Sequence, residues 1–498
     1  SFLLFAPTMM TTMMMIALLA LLFTSHTYAL ATKFRGKPFE VTSRPVALHT
    51  GEVFNKFGHP QYLPRHVIKD AAKKPIAVTG YKADVVEFED ASGKKIKQSA
   101  PLYDCYLHHY GAIVGRMEDL LPFYHQMNGR LGATMPMSHI HAEFEQFVSN
   151  TKKGKHSTKK KRVASIGGGS GAEERGTPHV YPPGFAQIAD DIDAIMPLMH
   201  LINTKGTETV TPAGNSPLLE CPCTSSRKFN YANQTIDGKV PNIPFGQCNA
   251  QMQVDANPSC AFDTYIQGYR CCEDGVFVIP GDEHGDLLNS EVSHYGMKFT
   301  FFYEHAKSKT RALRAPVGCC DVTGDLENFG NIEHDITPAC DDTNGDTCVR
   351  KFVTRQYLDI PPKSGIGGFG YGNATLTPSD KRAIDAGKKW VDLVYAVGHQ
   401  HVGGDAAHGI RLIRDATDEV LCTSLPKYGS GTAAGDERGY VTGIKPCIFA
   451  EPIRMRSDEV VRIESFYNTT YEHFGVMSLW ILQVADVEET VEEVITAA

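Results

Sequence analysis

Residues 390–402 read WVDLVYAVGHQHV, a short apolar run that ends in two histidines one residue apart. Such a run is typical of a β-strand. Successive side chains of a strand point to opposite faces of the sheet, so His399 and His401 share a face and could hold one metal ion. The alternative is that both are ordinary polar residues at a strand end, because a lone His-x-His motif is weak evidence for metal binding.

Strand-like segments recur along the chain, and turn-forming glycine, proline, asparagine and aspartate separate them. The clearest are KPIAVTGYKADVVEFED (74–90), MKFTFFYEHA (297–306), EVVRIESFYN (459–468) and VMSLWILQVAD (476–486). Helical periodicity is scarce, with helical turns expected at 117–127 and 378–390. This pattern is typical of β-sandwiches or barrels rather than of alternating strands and helices, so we predict a mostly β fold.

The length of 498 residues predicts more than one domain. A cysteine-rich, irregular stretch begins near residue 218, and a structureless segment of that length indicates a cross-linked insertion or a connector. We therefore predict an N-terminal β-sandwich domain over 32–215, a cysteine-rich connector over 216–350 that merges into the second domain, and a C-terminal β-sandwich domain over 351–498.

The charge of the chain excludes one class of partner. The formal net charge is −8 and the pI is near 6.2, whereas a nucleic-acid-binding protein needs a basic face for the phosphates. One basic run, KKGKHSTKKKR at 152–162, abuts the glycine-rich SIGGGSGAEERG and is predicted to be an exposed loop.

The N-terminal segment resembles a secretory signal peptide. The apolar run MMMIALLALLF at 13–23 precedes a small-x-small pattern at Ala29 and Ala31, which predicts a signal peptide over 1–31. The run is too short to span a bilayer comfortably, so we predict a secreted protein without a membrane span. Asn-x-Thr sequons, which are glycosylation sites in secreted proteins, occur at Asn233, Asn373 and Asn468.

The chain has 13 cysteines, which suits an oxidising compartment. Ten lie between residues 221 and 348, where a zinc site is the alternative, but their spacings do not repeat as Cys-x-x-Cys pairs and disulfides are favoured. The odd count leaves one thiol free or available to link chains into an oligomer. Asp342, Asn344 and Asp346 resemble the start of a calcium loop that lacks its glycine and closing glutamate, so a plain turn is favoured.

Other candidate ligands lie upstream and downstream of the His-x-His pair. His108 and His109 are adjacent in YLHHY, and both could reach one ion only at a β-bulge or strand end. His200 follows an apolar segment in MPLMHLINTKG, and Met477 begins an apolar strand. Taken singly, each of these histidines is more often structural than a ligand, and a methionine is usually a core residue.

The order of these residues resembles that of the ascorbate-dependent copper monooxygenases, the peptidylglycine α-hydroxylating and dopamine β-monooxygenase family. The resemblance implies two jelly-roll-like antiparallel β-sandwich domains and two separated copper ions. One ion would be held by His108, His109 and His200 and would pass electrons. The other would be held at the catalytic site by His399, His401 and Met477 and would bind O2, since a thioether favours Cu(I).

In the enzymes that the chain resembles, ascorbate is the reductant and a C–H bond becomes C–OH while the second oxygen leaves as water. The substrate here would be an unidentified small molecule or peptide. His473 and His408 are ambiguous as extra ligands or ligand-orienting groups.

The closer resemblance, which covers most of the chain after about residue 40, is to the plant-type stress up-regulated nodulin family of secreted proteins. It rests on YLHHY (106–110), MHLINTKG (199–206), YAVGHQHVGG (395–404), LCTSLPKYGSGTAAGDERGYVTGIKPC (421–447) and YNTTYEHFGVM (467–477). Cys422 and Cys447 bracket a glycine-rich stretch, and a disulfide between them would restrain the strands around the His399, His401 and Met477 site.

Three functions remain open at this stage. The first is a secreted copper-dependent monooxygenase. The second is a non-catalytic secreted protein that binds copper or serves as an extracellular structural glycoprotein. The third is an adhesive protein that polymerises through its odd cysteine. Retention of all six candidate ligands favours the first, because a structural descendant has no physical reason to keep a methionine beside a His-x-His pair.

Overall fold

The computed structural model describes residues 33–127, 144, 147, 164–167, 170–206, 291–316, 320, 322, 334–336, 348–359, 390–470 and 473–487. Several predicted features lie outside these residues: the signal peptide, the basic run, the sequons at Asn233 and Asn373, the calcium-like turn, most of the cysteine-rich connector and nearly all of the helical turn at 378–390. Within the described residues the chain is mostly β, with several antiparallel sheets, which confirms the predicted fold class.

The first twelve strands and two α-helices precede residue 306. The strands are β1 (Lys37–Thr42), β2 (Val46–Leu48), β3 (Val53–Phe57), β4 (Gln61–Tyr62), β5 (Ile76–Phe88), β6 (Ile96–Ser99), β7 (Cys105–Gly115), β8 (Ala164–Gly167), β9 (His179–Val180), β10 (Phe185–Ala189), β11 (Ala194–Asn203) and β12 (Ser293–His305). The helices are α1 (Arg65–Ala71) and α2 (Met117–Met127), and a 3-10 helix spans Ala172–Gly176.

Twelve further strands follow in the described part of the chain. They are β13 (Arg311–Arg314), β14 (His334–Ile336), β15 (Val349–Tyr357), β16 (Trp390–Gln400), β17 (Ile410–Arg414), β18 (Glu419–Ser424), β19 (Pro426–Tyr428), β20 (Val441–Ile444), β21 (Cys447–Arg456), β22 (Val460–Asn468), β23 (His473–Val476) and β24 (Ser478–Asp486). All five quoted strand-like segments are strands, and the helical turn predicted at 117–127 is α2.

The strands build two β-sandwiches that share one long sheet. Strands β1-β12-β5-β10 face β3-β11-β7-β8 across the first core, and β13-β24-β16-β21 face β15-β22-β17-β18 across the second. A parallel pairing of β10 with β13 joins the two halves into an 11-stranded sheet. Strand β12 lies inside the predicted connector, yet it pairs with β1 and β5, so residues 293–305 belong to the first sandwich.

Strand β16 is buried on both faces. Leu393 and Ala396 pack in the second core, whereas Tyr395 and Val397 pack against the first sandwich. A strand that is buried on both faces needs apolar residues at successive positions, which explains the unbroken apolar run at 393–397. Because side chains alternate, His399 and His401 continue the row of Tyr395 and Val397 and face the first sandwich.

Helix α2 covers the outer face of the sheet that carries β7 and β11. Leu120 and Phe123 pack on Ile113, Met196 and Leu198 in a separate core. Those two strands are therefore also buried on both faces. Among the described helices, none is long and apolar enough to cross a membrane.

Candidate metal centre

A β-bulge brings the two adjacent histidines of β7 to one side. Along the pairing of β7 with β11, His109 lies opposite His200 and Leu107 lies opposite Leu201, so His108 is the extra residue. In a regular strand adjacent side chains point to opposite faces, and a bulge can turn one of them to the same face as its neighbour. The ring of His108 consequently lies 4.4 Å from that of His109 and 4.2 Å from that of His200, centroid to centroid.

The end of β16 supplies the other two histidines. The rings of His399 and His401 are 4.9 Å apart, as their shared face predicts. Gln400 pairs with Ser478, and the His401 amide donates a hydrogen bond to the Met477 carbonyl at 3.3 Å, so the ladder continues and Met477 lies opposite His401. Directly opposite residues of an antiparallel pair point to the same face with Cβ atoms about 5 Å apart. Met477 is fully buried there.

The five histidines form one cluster between the sandwiches. His401 lies 4.8 Å from His108 and 5.6 Å from His109, and His399 lies 5.1 Å from His109, between ring centroids. Two trios have ligand atoms within 4.8 Å of one another: His108, His109 and His200, and His109, His399 and His401. The resemblance implied two well-separated ions, whereas here the trios share His109.

Burial disfavours the protonated form of three of the five rings. Burial, reinforced by the neighbouring histidines, lowers the pKa of His108 and of His109 well below the usual value. Burial and the nearby His401 lower the pKa of His200 to about 3. Neutral imidazole is the form that binds metal, because each ring then offers a lone pair.

The donor atoms fit a metal ion. Among the described residues, His109 Nε2 and His200 Nε2 are buried without a hydrogen-bond partner, a costly arrangement unless something else occupies the lone pair or proton. Several imidazoles, with Met477 opposite His401 on the neighbouring strand, suit copper, whose Cu(I) state prefers soft ligands and whose Cu(II) state accepts imidazole. The cluster therefore passes the test of donor chemistry for the copper that the resemblance implies.

Glu173 positions one of the rings. Its Oε1 lies 2.7 Å from His399 Nδ1, and both side chains are buried. Burial raises the pKa of Glu173, but the attraction and hydrogen bond of His399 outweigh it, so the pKa lies below the usual value. A carboxylate on one ring nitrogen fixes the tautomer and directs the other nitrogen to a metal.

Sequence reasoning missed Glu173 because it adjoins the basic run that was predicted to be exposed. That prediction does not extend to the neighbouring SIGGGSGAEERG segment: Ala164–Gly167 is β8, and Glu173 and Glu174 are buried. The glycines were the available signal. A Cβ at Gly171 would lie 2.2 Å from the His108 carbonyl oxygen, and one at Gly176 would lie 2.4 Å from the Thr442 carbonyl oxygen, so this segment packs too closely for side chains.

The next residue, Glu174, anchors a second buried network. Its carboxylate accepts hydrogen bonds from the Ala83 amide at 3.0 Å and from the Tyr110 hydroxyl at 2.5 Å, and lies 2.8 Å from His179 Nε2. Tyr395 of β16 is the last member of this hydrogen-bond network, and its hydroxyl lies 3.0 Å from His179 Nδ1. Burial raises the pKa of Glu174, and its partners offset part of this rise.

Arg175, the third charged residue of the 3-10 helix, ties the sandwiches together. Its guanidinium donates to Asp84 Oδ1 at 2.6 Å and to Glu437 Oε1 at 3.2 Å. Asp84 lies in the first sandwich, while Glu437 lies in a loop between β19 and β20 and is fully buried. One short helix thus orients a candidate ligand, anchors a polar network and bridges the two halves.

The two ambiguous histidines lie outside both trios. His473 Nε2 is 2.5 Å from the Asn468 carbonyl oxygen, and its ring fills the space beside Gly403, which has φ +104°. Burial lowers the pKa of His473. His408 is partly exposed, with Nδ1 2.7 Å from Asp405 Oδ1.

The cysteines support part of the prediction. Cys422 and Cys447 form the predicted disulfide, and Cys320 and Cys348 are also disulfide-bonded. Cys105 is a free thiol but is fully buried, so it is not placed to link two chains. Asn468 Oδ1 accepts a hydrogen bond from the Thr470 hydroxyl of its own sequon, and glycosylation there stays a prediction.

The fold and the site define a class: a protein of two β-sandwiches with a buried five-histidine candidate metal centre between them. Residues 376–487 match the family described as stress up-regulated Nod 19, which confirms the resemblance to that family over this part of the chain. The matched stretch includes His399, His401, Met477 and the disulfide, whereas His108, His109 and His200 lie outside it.

No curated protein matches the chain. Among solved structures, the insecticidal δ-endotoxin Cry8Ea1 from Bacillus thuringiensis is 9% identical, and the match covers 92% of this chain and 60% of that chain. The TM-score is 0.13, so this likeness carries no argument about fold or function. The chain spans about 60% of the length of that toxin.

Proposed function

We propose that this protein is a secreted, copper-dependent monooxygenase that uses O2 and a reductant such as ascorbate. The observation that carries the proposal is the convergence of five buried histidines from two sandwiches on one site. They are the histidines whose order resembles that of the ascorbate-dependent copper monooxygenases, and sequence spacing alone does not require them to meet.

The candidate ligands fall into two sets whose chemistry suits different roles. His108, His109 and His200 present imidazoles alone, which suits electron storage in either oxidation state of copper. His399 and His401 lie beside Met477, and a soft thioether favours the Cu(I) state that reacts with O2. When bound, copper would supply the one-electron chemistry that lets O2 oxidise a C–H bond.

The chain's own contribution is to hold the ligands before any ion arrives. Glu173 fixes the tautomer of His399, and the bulge at His108 places two adjacent rings on one side. Burial keeps the rings unprotonated at neutral pH, so binding would not have to displace protons from His108, His109 or His200. Such preorganisation lowers the cost of binding.

Secretion belongs to the same proposal. The disulfide Cys422–Cys447 and the disulfide-bonded Cys320 and Cys348 suit an oxidising compartment, in line with the signal peptide expected over 1–31.

A second candidate is a non-catalytic copper-binding protein, and one observation favours it. None of the five rings is more than 2% exposed, so a substrate would need the sandwiches to part before it could reach the site. A closed site of this kind suits copper retention without turnover.

Elemental analysis of the purified chain tests copper binding. We expect up to two copper ions per chain, with about one lost in His108→Ala and in Met477→Leu. His408→Ala is the matched control, because His408 bonds Asp405 outside the cluster and its loss should leave the copper content unchanged. A chain without copper, or variants that keep the full content, would exclude both candidates.

Two further measurements separate the candidates and test Glu173. Ascorbate-dependent oxygen consumption by the copper-loaded chain supports the monooxygenase, whereas stable copper without consumption supports retention. Glu173→Gln should weaken copper affinity by about 10- to 100-fold, the usual effect of losing a carboxylate behind a histidine ligand. Glu437→Gln removes another buried carboxylate, one bonded to Arg175 rather than to a cluster histidine, and should leave the affinity unchanged.

A further inference from the structure

Tyr395 stands at the end of a buried polar chain that the histidine cluster does not use. It lies on β16, on the same face as His399 and four residues before it, about 13 Å along the strand. Its hydroxyl is 3.0 Å from His179 Nδ1 and 3.3 Å from the Pro178 carbonyl oxygen. The three side chains of this hydrogen-bonded series are at most 3% exposed: Tyr395, His179 and Glu174.

The hydrogen-bond donors fix the direction of this chain. Glu174 already accepts from Ala83 and Tyr110, and His179 Nε2 is 2.8 Å from the same carboxylate. When Glu174 is ionised its carboxylate only accepts, so His179 then carries its proton on Nε2 and donates it to Glu174. In the neutral ring Nδ1 is then an acceptor, and the nearer partner for the Tyr395 proton is Nδ1 rather than the Pro178 carbonyl.

This arrangement has a specific chemical consequence. A buried phenol that loses an electron without losing its proton leaves a positive charge in an apolar interior, which is costly. Here the proton can move along an existing hydrogen bond to His179 Nδ1, and the imidazolium that results is paired with the Glu174 carboxylate. Before the step the Glu174 carboxylate is held by hydrogen bonds alone, and after it the carboxylate also has the imidazolium as its counter-charge.

We propose that Tyr395 is a redox-active tyrosine with His179 as its proton acceptor. In the step, Tyr395 gives one electron to a one-electron oxidant, its O–H bond breaks, and the proton passes to His179 Nδ1. The products are a neutral Tyr395 phenoxyl radical, a His179 imidazolium paired with Glu174, and an oxidant reduced by one electron. An electron and the returning proton restore the hydroxyl.

Neighbouring glutamates connect this unit to the histidine cluster. Glu173 bonds His399, and the adjacent Glu174 bonds His179, so the route His399–Glu173–Glu174–His179–Tyr395 runs through hydrogen bonds and one peptide. Tyr395 can therefore donate an electron when O2 is reduced at the cluster and no substrate takes up the oxidising equivalent. This use of Tyr395 rests on the proposed function, whereas its redox chemistry does not require the metal.

Among the other described tyrosines, Tyr110 also donates to a buried proton acceptor, the Glu174 carboxylate, whereas three others lack such a partner and provide controls. Tyr295 is also fully buried, but its hydroxyl bonds the Asp104 carbonyl oxygen, which cannot accept a proton in this way. Tyr62 is 65% exposed and Tyr103 is 40% exposed, so both would react directly with an oxidant in solution. A chain with Tyr62→Phe and Tyr103→Phe reduces that surface background.

The experiment oxidises the metal-free, full-length chain in that background with photogenerated tris(bipyridine)ruthenium(III), followed by freeze-quench EPR spectroscopy. We expect a neutral tyrosyl signal that persists because its radical is shielded from solvent. Tyr395→Phe should reduce the persistent signal at least tenfold, whereas Tyr295→Phe should leave it unchanged. Absence of the signal from the parent chain, or its survival in Tyr395→Phe, overturns the proposal.

Two readouts test the role of His179, which a merely structural residue would not influence. His179→Gln keeps a hydrogen-bonding side chain but removes the proton acceptor, and should shorten the radical lifetime at least tenfold. Radical formation in the chain with His179 intact should be slower in D2O than in H2O. This comparison does not use the His179→Gln variant, so it is informative even if that variant does not fold. An unchanged rate in D2O contradicts proton transfer to His179.

The copper measurement keeps this proposal distinct from the proposed function. Tyr395→Phe should bind as much copper as the parent chain, because the Tyr395 hydroxyl bonds His179 and the Pro178 carbonyl oxygen, and neither residue is a candidate ligand. A parent chain that yields the radical but binds no copper refutes the copper centre and leaves the redox-active tyrosine standing. A parent chain that binds copper without yielding the radical refutes the redox-active tyrosine and leaves the copper centre standing.

Discussion

At the scale of single residues, the unusual feature is a group of histidines that stay neutral because they are buried. His108, His109 and His200 would each take up a proton near pH 6.5 in an unfolded chain. In the folded chain burial and neighbouring rings lower the pKa of all three, to about 3 for His200. The difference makes the stability of the metal-free protein depend on pH.

The sign of this dependence follows from proton binding. Below pH 6.5 the unfolded chain binds protons that the folded chain does not, so stability is present at neutral pH and is lost as the pH falls towards 3. The shift of His200 alone should lower the free energy of unfolding by roughly 2 kcal/mol between pH 7.5 and pH 5, and the shifts of His108 and His109 act in the same direction. Urea unfolding of the metal-free chain at the two pH values measures the loss.

Two matched variants test whether the histidine cluster causes this loss of stability at low pH. His200→Gln removes one of the shifted groups and should flatten the dependence by about one proton, whereas His66→Gln changes an exposed histidine and should not. A slope that is the same in the chain with and without His200 would show that the cluster is not the source.

At the scale of elements, β16 links the centre to the rest of the second sandwich. The disulfide Cys422–Cys447 ties β18 to β21, and Cys447 pairs with Ala396, three residues before His399. Strand β7, which carries His108 and His109, belongs to the other sandwich. The disulfide should therefore restrain one half of the cluster more than the other.

The double variant Cys422→Ser with Cys447→Ser tests this asymmetry without reducing Cys320 or Cys348. It should lower the free energy of unfolding by about 3 kcal/mol, the value for a loop of this length. Amide hydrogen exchange, followed by mass spectrometry, should increase more over 395–401 than over 107–111. An equal increase in both segments, or none in either, would contradict the proposed restraint.

At the scale of the whole molecule, the two sandwiches behave as partners in one site. The cluster takes ligands from both, and the shared sheet, the Tyr395–His179 bond and the bridge through Arg175 cross the same boundary. A buried bridge of this kind is important less for its net energy than for the cost of breaking it.

Arg175→Met should therefore weaken the union of the two halves. Glu437 would lose its cation while it remains buried, which we expect to cost about 3 kcal/mol and to split a single unfolding transition into two. Calorimetry of the metal-free chain measures both effects. Adding Glu437→Gln removes the stranded charge and should recover part of the loss; strictly additive losses would show that the two side chains are not coupled.

Much of the architecture was predictable because its signals are local. The apolar run before His399 and the alternation of strand side chains predicted that His399 and His401 share a face, and the same rule required a bulge or a strand end for His108 and His109. The structure has both features. The disulfide Cys422–Cys447 and helix α2 were likewise predicted from nearby residues, and both are confirmed.

The sequence by itself therefore determined the β class and the phase of the ligand-bearing strands, since each depends on a residue and its near neighbours, whereas the candidate ligands were implied by the resemblance. Only the tertiary structure decided that the two trios meet at His109 and that Glu173 orients His399. Those contacts join residues far apart in the chain, and their distances are set by how one sandwich packs against the other, which no local pattern specifies.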